Sequence, residues 1–268
     1  MNAQDTLMGS AIGISVSDSP DMAPLGLSEP HLRDAMVEIA RHLLARGCRL
    51  VYGGDLRPGG FTEMLLELVA RHRRNDELND ERAAVVNYLA WPVITRTHRA
   101  DLLNTFAELG DGADVICLSQ DGNEIPWQSA LRRVKQEAPW APGLTAMRKV
   151  ISEQIAARVV LGGRVEGYSG SMPGVAEESL ISLKLQQPLY LLGGFGGCAR
   201  DIAETIGLAA PWATRDRDWN GRSAFAQFRA GDIKNGLTVE ENSILARTAH
   251  IDQALALVMR GLVKRFKR

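Results

Sequence analysis

The sequence is poor in cysteine and has no histidine cluster, no long apolar run and no excess of one charge. Its three cysteines, Cys48, Cys117 and Cys198, are far apart, odd in number and form no CxxC. That pattern argues against a disulfide framework and a structural zinc site, and it fits reduced thiols in a cytoplasmic protein. The five histidines, His31, His42, His72, His98 and His250, are equally scattered, and no HExxH occurs. Metal sites need clustered ligands, so no metal is expected. No stretch approaches the ~18 consecutive apolar residues of a membrane span. The opening residues, MNAQDTLMGSAIGISV, lack the basic start and apolar centre of a secretory signal. Lys+Arg is 31 against 32 Asp+Glu, a formal charge of −1. Without a global attraction to phosphate backbones, nucleic-acid binding is disfavoured.

What is present is an ordinary globular composition. Of 268 residues, 45% are hydrophobic and 24% charged, too apolar for a disordered chain. Six short apolar runs read as strands: residues 11–16, 49–52, 85–89, 115–118, 159–161 and 189–192. Helical patterns lie at 31–45, 61–73, 100–109, 128–137, 144–157, 175–186 and 198–206. Strands alternating with helices predict an α/β, Rossmann-like, doubly wound and mainly parallel sheet with helices on both faces. The strands are continuously apolar rather than alternating, as a sheet covered on both sides requires.

The expected domain spans residues 8–208. Residues 209–268 read as a C-terminal helical extension that packs on it or mediates assembly. This extension holds Trp212, Trp219, Phe225 and Phe228 among many charges. A closing helix is expected at 245–262, followed by a solvated basic tail of Lys264, Arg265, Lys267 and Arg268. Residues 74–82 (RNDELNDER) read as a polar loop.

Glycine is enriched, with 26 residues, and a strand followed by Gly-Gly occurs three times. The segments are VYGGDLRPGGFTE (51–63), VVLGGRVEGYSGSMPGVAEE (159–178) and YLLGGFGGCARD (190–201). In a parallel sheet all three loops open on the edge formed by the strand C-termini. Glycine there admits close approach of a ligand, and the N–H groups of the next helix can hold an anion such as phosphate. The candidate ligand-binding residues are therefore Ser17 and Asp18 after the first strand; Gly53, Gly54, Arg57, Gly59, Gly60 and Glu63 in the second loop; Gly162, Gly163, Tyr168, Gly170, Ser171 and Gly174 in the long loop; and Gly193, Gly194 and Gly196 in the last. Asp55, Arg164 and Ser169 lie among them. Glu63, Glu177 and Glu178 also suit helix first turns without any ligand. No GxxxxGK[ST] exists, and no GxGxxG with a following acidic residue, so a P-loop enzyme and an ordinary NAD dehydrogenase are both disfavoured.

These residues resemble the SLOG superfamily, the Rossmann-like group named after the DNA-processing protein DprA and the LOG enzymes. The LOG signature is a strand ending in PGGxGTxxE, preceded by an Arg-Lys pair one helix earlier. Here Arg148-Lys149 stands before the strand, Gly162-Gly163 follows it, and Gly174-Val175-Ala176-Glu177-Glu178 is similar to the G-T-x-E-E end. The resemblance covers about residues 10–205. LOG enzymes are phosphoribohydrolases that release a base and ribose 5-phosphate. The resemblance implies Arg148 with Glu177 or Glu178 as a catalytic pair.

Two departures matter. Val175 stands where LOG proteins have Thr, and the extra residues 164–173 separate the glycine pair from the glutamates. Both departures resemble the divergent SLOG groups of bacterial conflict and antiviral systems, which are thought to bind nucleotide-derived signals.

The resemblance thus implies a nucleotide-ligand sensor, with a LOG-like nucleotide N-glycosidase as the alternative. The expected partner is a nucleotide-derived small molecule, with no cofactor and no membrane. A homo-oligomer is expected, together with an effector protein that reads the signal.

Overall fold

The computed structural model describes residues 6–54, 56–57, 59–73, 84–108, 112–133, 137–211 and 217–267. In chain order the strands are β1 (Ala11–Ser17), β2 (Arg49–Gly53), β3 (Val85–Leu89), β4 (Ala113–Leu118), β5 (Glu124–Ile125), β6 (Ala157–Gly162) and β7 (Leu189–Leu192). The helices between β1 and β5 are α1 (Glu29–Leu44), α2 (Phe61–Arg73), α3 (Trp91–Arg96) and α4 (Arg99–Glu108). Those that follow are α5 (Trp127–Leu131), α6 (Trp140–Gln154), α7 (Gly174–Lys184), α8 (Gly197–Thr205), α9 (Val239–Leu245) and α10 (Ile251–Phe266). The seven strands pair in the order β5-β4-β3-β2-β1-β6-β7. Only β5 runs antiparallel. The expected Rossmann-like α/β sheet is what the chain forms.

Strand alternation sorts the sheet into two faces. On one face Ile12, Ile14, Leu50, Val159 and Tyr190 meet α1 and α10. On the other, Val160, Leu189 and Leu191 meet α7 and α8, and Val51 and Val86 meet α6. α1 shows why such elements form. Ser28 precedes it, with its backbone N–H donating to His31 Nδ1 at 3.0 Å, and Pro30 sits in the first turn, where a missing N–H costs nothing. Leu32, Met36, Ile39 and Leu43 recur on one face and are fully buried, each worth about 2 kcal/mol.

The residues after 208 share these cores. Leu245, Ala254, Val258 and Leu262 pack with β1 and β6, and Phe225, Ile233 and Ala246 pack with α7 and α8. The same segment shields the edge strand β7. Asn235 Nδ2 donates to the Leu189 carbonyl at 2.8 Å, and Tyr190 Oη donates to the Asn235 carbonyl at 2.8 Å.

Several boundaries differ from the sequence reading. α3 and β5 were not expected, because six and two residues are too short to show a period. The pattern at 128–137 yields only Trp127–Leu131. α6 begins at Trp140 rather than 144, because Pro142 is tolerated in a first turn. The single closing helix expected at 245–262 is two helices, α9 and α10. They break at 246–250, where Thr248 Oγ1 accepts the His250 N–H at 3.1 Å and so competes with helical bonding. Trp219 and Phe225 are buried. Trp212, Arg268 and the polar loop 74–82 lie outside the described residues. Among the described residues no helix is long and apolar enough to cross a membrane, and no cluster of three or more His, Cys, Asp or Glu could hold a metal ion.

Candidate functional site

The strand order reverses between β1 and β6. From β1 the chain passes to α1 on one face, and from β6 it passes to α7 on the other. The two connections diverge there, and the edge outside the strand C-termini at such a switch point is the crevice in which open α/β sheets generally bind their ligands. Ser17 and Gly162, the last residues of the two strands, are paired. The Gly163 N–H donates to the Ser17 carbonyl at 3.0 Å, and the Cys198 N–H donates to the Gly163 carbonyl at 3.2 Å. Gly162 has φ +67° and Gly197 has φ +64°. A Cβ on Gly162 would strike the Ser17 carbonyl, and one on Gly197 would strike the Gly163 carbonyl. These glycines let three backbone segments meet at the floor of the crevice.

Across its mouth, Arg164 Nε and NH2 reach Asp18 Oδ1 and Oδ2 at 2.7 and 3.2 Å. The Arg164 backbone N–H donates to Ser17 Oγ at 3.1 Å. The Arg164–Asp18 pair is about half exposed, so solvent screens it and it adds little stability. Its two-pronged geometry is also the one that recognises phosphate.

Behind the crevice, α6 and α7 bury two guanidinium–carboxylate pairs. Arg148 NH1 donates to Glu177 Oε2, and Thr145 Oγ1 donates to Glu177 Oε1. Arg158, on β6, donates from NH1 to Glu178 Oε2 at 3.1 Å and to Ser15 Oγ at 2.8 Å. It also donates from Nε to Ser182 Oγ and from NH2 to Ser152 Oγ, both at 2.9 Å. Ser15 Oγ in turn donates to Glu178 Oε2. Arg148 Nε is 3.8 Å from Glu178 Oε1 and links the pairs. Burial pulls the Arg158 pKa down, the Glu178 carboxylate pulls it back up, and Arg148 adds to the lowering. Gly170 and Gly174 lie against the Arg148 guanidinium, close enough that a Cβ on either would displace it.

The other predicted residues are placed differently. Tyr168 and Ser171 are on the loop leading to α7, with Tyr168 half-buried and Ser171 exposed. The Ser171 carbonyl accepts from Asn220 Nδ2. Gly53 packs against Met147 and Ile151 of α6, and Gly54 lies beside Thr62. The Gly59 N–H donates to Glu63, and Arg33 donates to the Gly59 carbonyl, so Glu63 closes the start of its own helix. Gly60 donates to the Arg57 carbonyl at 2.9 Å, and the Arg57 side chain is exposed. Asp55 lies outside the described residues. Gly193 and Gly194 face the Ala246 and Thr248 carbonyls, and Gly196 faces Asp21. The close approach these three glycines permit is to the chain's own atoms.

The SLOG cluster2 family profile matches residues 6–262. The chain belongs to SLOG cluster 2. The match runs past residue 208, so the family unit includes α9 and most of α10, in line with their shared cores. No curated protein matches this SLOG chain significantly.

Sequence reasoning missed Arg158, Thr145 and the three serines around Arg158. A signal for Arg158 existed, since a charged residue beside an apolar strand run needs a buried partner. It also missed Asp21, whose Oδ2 accepts the Gly197 N–H at 2.7 Å, at the start of α8. Arg217 NH2 holds Asp21 Oδ1 at 2.7 Å. Trp219 Nε1 donates to Asp201 Oδ2 at 2.9 Å. Burial raises the Asp201 pKa, while Trp219 and Arg217 act to lower it. The positive end of the α8 dipole thus already holds a carboxylate.

Proposed function

We propose that this SLOG domain binds a phosphate-bearing, nucleotide-derived ligand in the crevice between β1 and β6 and does not turn it over. The observation that carries the reading is the commitment of both glutamates. Glu177 is held by Arg148 and Thr145, and Glu178 by Arg158 and Ser15. A carboxylate serving as base or nucleophile needs access to its substrate, whereas these two are more than nine-tenths buried. The mouth supplies what a binder needs. Arg164 can exchange Asp18 for a phosphate, Ser17 offers a hydroxyl, and Tyr168 offers a ring for a base. The output would run through assembly or a partner protein, as a sensor of a bacterial conflict or antiviral system would require.

The LOG-like phosphoribohydrolase reading keeps one support: Arg148 and Glu177, the pair that the resemblance names, are in direct contact. One experiment separates the two. Pure protein is incubated with nucleoside monophosphates, NAD, ADP-ribose and cyclic ADP-ribose isomers, and bound and free small molecules are read by mass spectrometry. An intact nucleotide recovered with the protein, and lost in Arg164→Ala, supports the binder. Free base with ribose phosphate, abolished by Glu177→Gln, overturns it in favour of the hydrolase.

A further inference from the structure

A cleft of about 310 Å³ opens on the sheet face that carries Arg158, away from the β1–β6 crevice. Its floor is apolar, from Val51, Val86, Ile116 and Leu118, and the C-terminal half of α6 forms a wall. Two carboxylates border it, Asp114 on β4 and Glu124 on β5. Both are exposed, and neither has an ion-pair partner among the described residues. Arg49, at the start of β2 two strands from Asp114, lines the β2 side of the cleft and is already engaged in an interaction of its own.

The register sets the spacing. Leu118 pairs with Glu124, and Asp114 lies four residues before Leu118 on the same strand and face. The two carboxylates therefore stand about 13 Å apart along the strand direction, at ~3.3 Å per residue. Between them lie Ile116 and the side chain of Tyr88. Tyr88 is 6% exposed and lines the cleft, and its hydroxyl has no hydrogen-bond partner among the described residues. The hydroxyl is not sealed from solvent, so it opens into the cleft. Burial, then the Glu124 carboxylate, raises its pKa, with Asp114 acting the same way and Arg49 opposing. Tyr88 therefore keeps its proton and presents both a neutral oxygen acceptor and a ring face.

Two acidic groups spaced along the cleft, an apolar floor between them and a phenol hydroxyl open to its centre describe the complement of one ligand class. We propose that this cleft binds an aliphatic diammonium or polyammonium ion, its cationic ends at Asp114 and Glu124 and its methylene chain over Ile116. An interior ammonium would meet the Tyr88 oxygen or ring. Anionic ligands are disfavoured, because two carboxylates face one occupied guanidinium. The proposal does not depend on nucleotide binding, which uses a different edge of the sheet.

The test is calorimetric titration of the full chain with spermidine at low salt, with n-butylamine as the single-charge control. Saturable one-to-one binding of spermidine, much weaker for butylamine, is expected. Asp114→Asn and Glu124→Gln should each lower affinity about tenfold, as the loss of a charge-assisted hydrogen bond implies. Tyr88→Phe, which keeps the ring, should cost less. Asp252→Asn, at an exposed carboxylate on α10, should change nothing. Circular dichroism would establish that the variants fold. Absence of saturable binding, affinity unchanged from the unsubstituted chain in the Asp114 and Glu124 variants, or an equal loss in Asp252→Asn would each overturn the proposal. Nucleotide recovery by the Asp114 variant reports on the crevice separately, so the two proposals fail independently.

Discussion

Arg158 and Glu178, on β6 and α7, hold each other at 3.1 Å in the seam beneath α6, and Arg158 is 1% exposed. A guanidinium so deeply buried is tolerable only because its donors are used, here by one carboxylate and three serine hydroxyls. Gly13, the cross-strand partner of Arg158, has no side chain to fill the space beside the guanidinium.

Breaking this pair should be costly. Arg158→Met leaves the buried Glu178 with only the longer 3.8 Å cation contact to Arg148 and is expected to destabilise the fold by about 3 kcal/mol, the lower end of the range for a broken buried pair. The double variant Arg158→Met with Glu178→Met should lose clearly less than the sum of the single losses. Urea unfolding monitored by circular dichroism measures all three. Additive losses would mean that the two residues are not energetically coupled.

Gly174 tests the Arg148 guanidinium without altering a charge. A Cβ there would lie 2.6 Å from Arg148 NH2, so Gly174→Ala must push the guanidinium aside. Displacing the guanidinium also strains its buried pair with Glu177, so urea unfolding of the variant is needed to separate lost stability from lost binding. Nucleotide affinity, measured by titration calorimetry, should fall about tenfold if Arg148 shapes the crevice. Unchanged affinity would confine Arg148 to a structural role.

The glycines should separate by what surrounds them. Gly59 and Gly197 both have positive φ, +70° and +64°. Gly59 has open space around its Cβ position, whereas Gly197 faces the Gly162 and Gly163 backbone. Gly59→Ala should therefore cost about 1 kcal/mol, from the left-handed conformation alone. Gly197→Ala should exceed about 3 kcal/mol, because backbone must also move. Chemical denaturation of the two variants side by side tests the difference.

The thiols make an alkaline prediction. Burial pushes Cys48 and Cys117 up to about 12 from 9.0, with Glu124 adding to the shift of Cys117 and Arg46 opposing that of Cys48. Burial, followed by Asp201, raises Cys198 further. The folded chain keeps these protons where the unfolded chain, with thiols near ~8.5, loses them. Unfolding then releases protons, so the stability present at neutral pH falls as pH rises above about 9, by up to ~1.4 kcal/mol per pH unit for each thiol. Denaturation midpoints at neutral and alkaline pH measure the slope. A thiol reagent should leave the native protein unlabelled at mildly alkaline pH and label three cysteines in denaturant. Rapid native labelling would contradict the burial.

The sequence by itself determined the sheet class, six of the strands and the family motifs, because these are local. Apolar runs such as residues 85–89 and 159–161 report burial on both faces, and strand–Gly-Gly marks where a strand must turn. The positions of Arg148 and Glu177 followed from motif order, and the structure brings those two side chains into contact. Only the tertiary structure decided what the glycine loops face. Gly193 and Gly194 turn toward the carbonyls of residues 246 and 248, and Asp21 reaches Gly197 over a separation of 176 residues. It also decided that the two adjacent glutamates take separate arginine partners, and that the extension after residue 208 completes the cores. Pairings of this kind depend on strand order and helix packing, which bring distant residues together through burial and charge neutralisation, and no local periodicity encodes them.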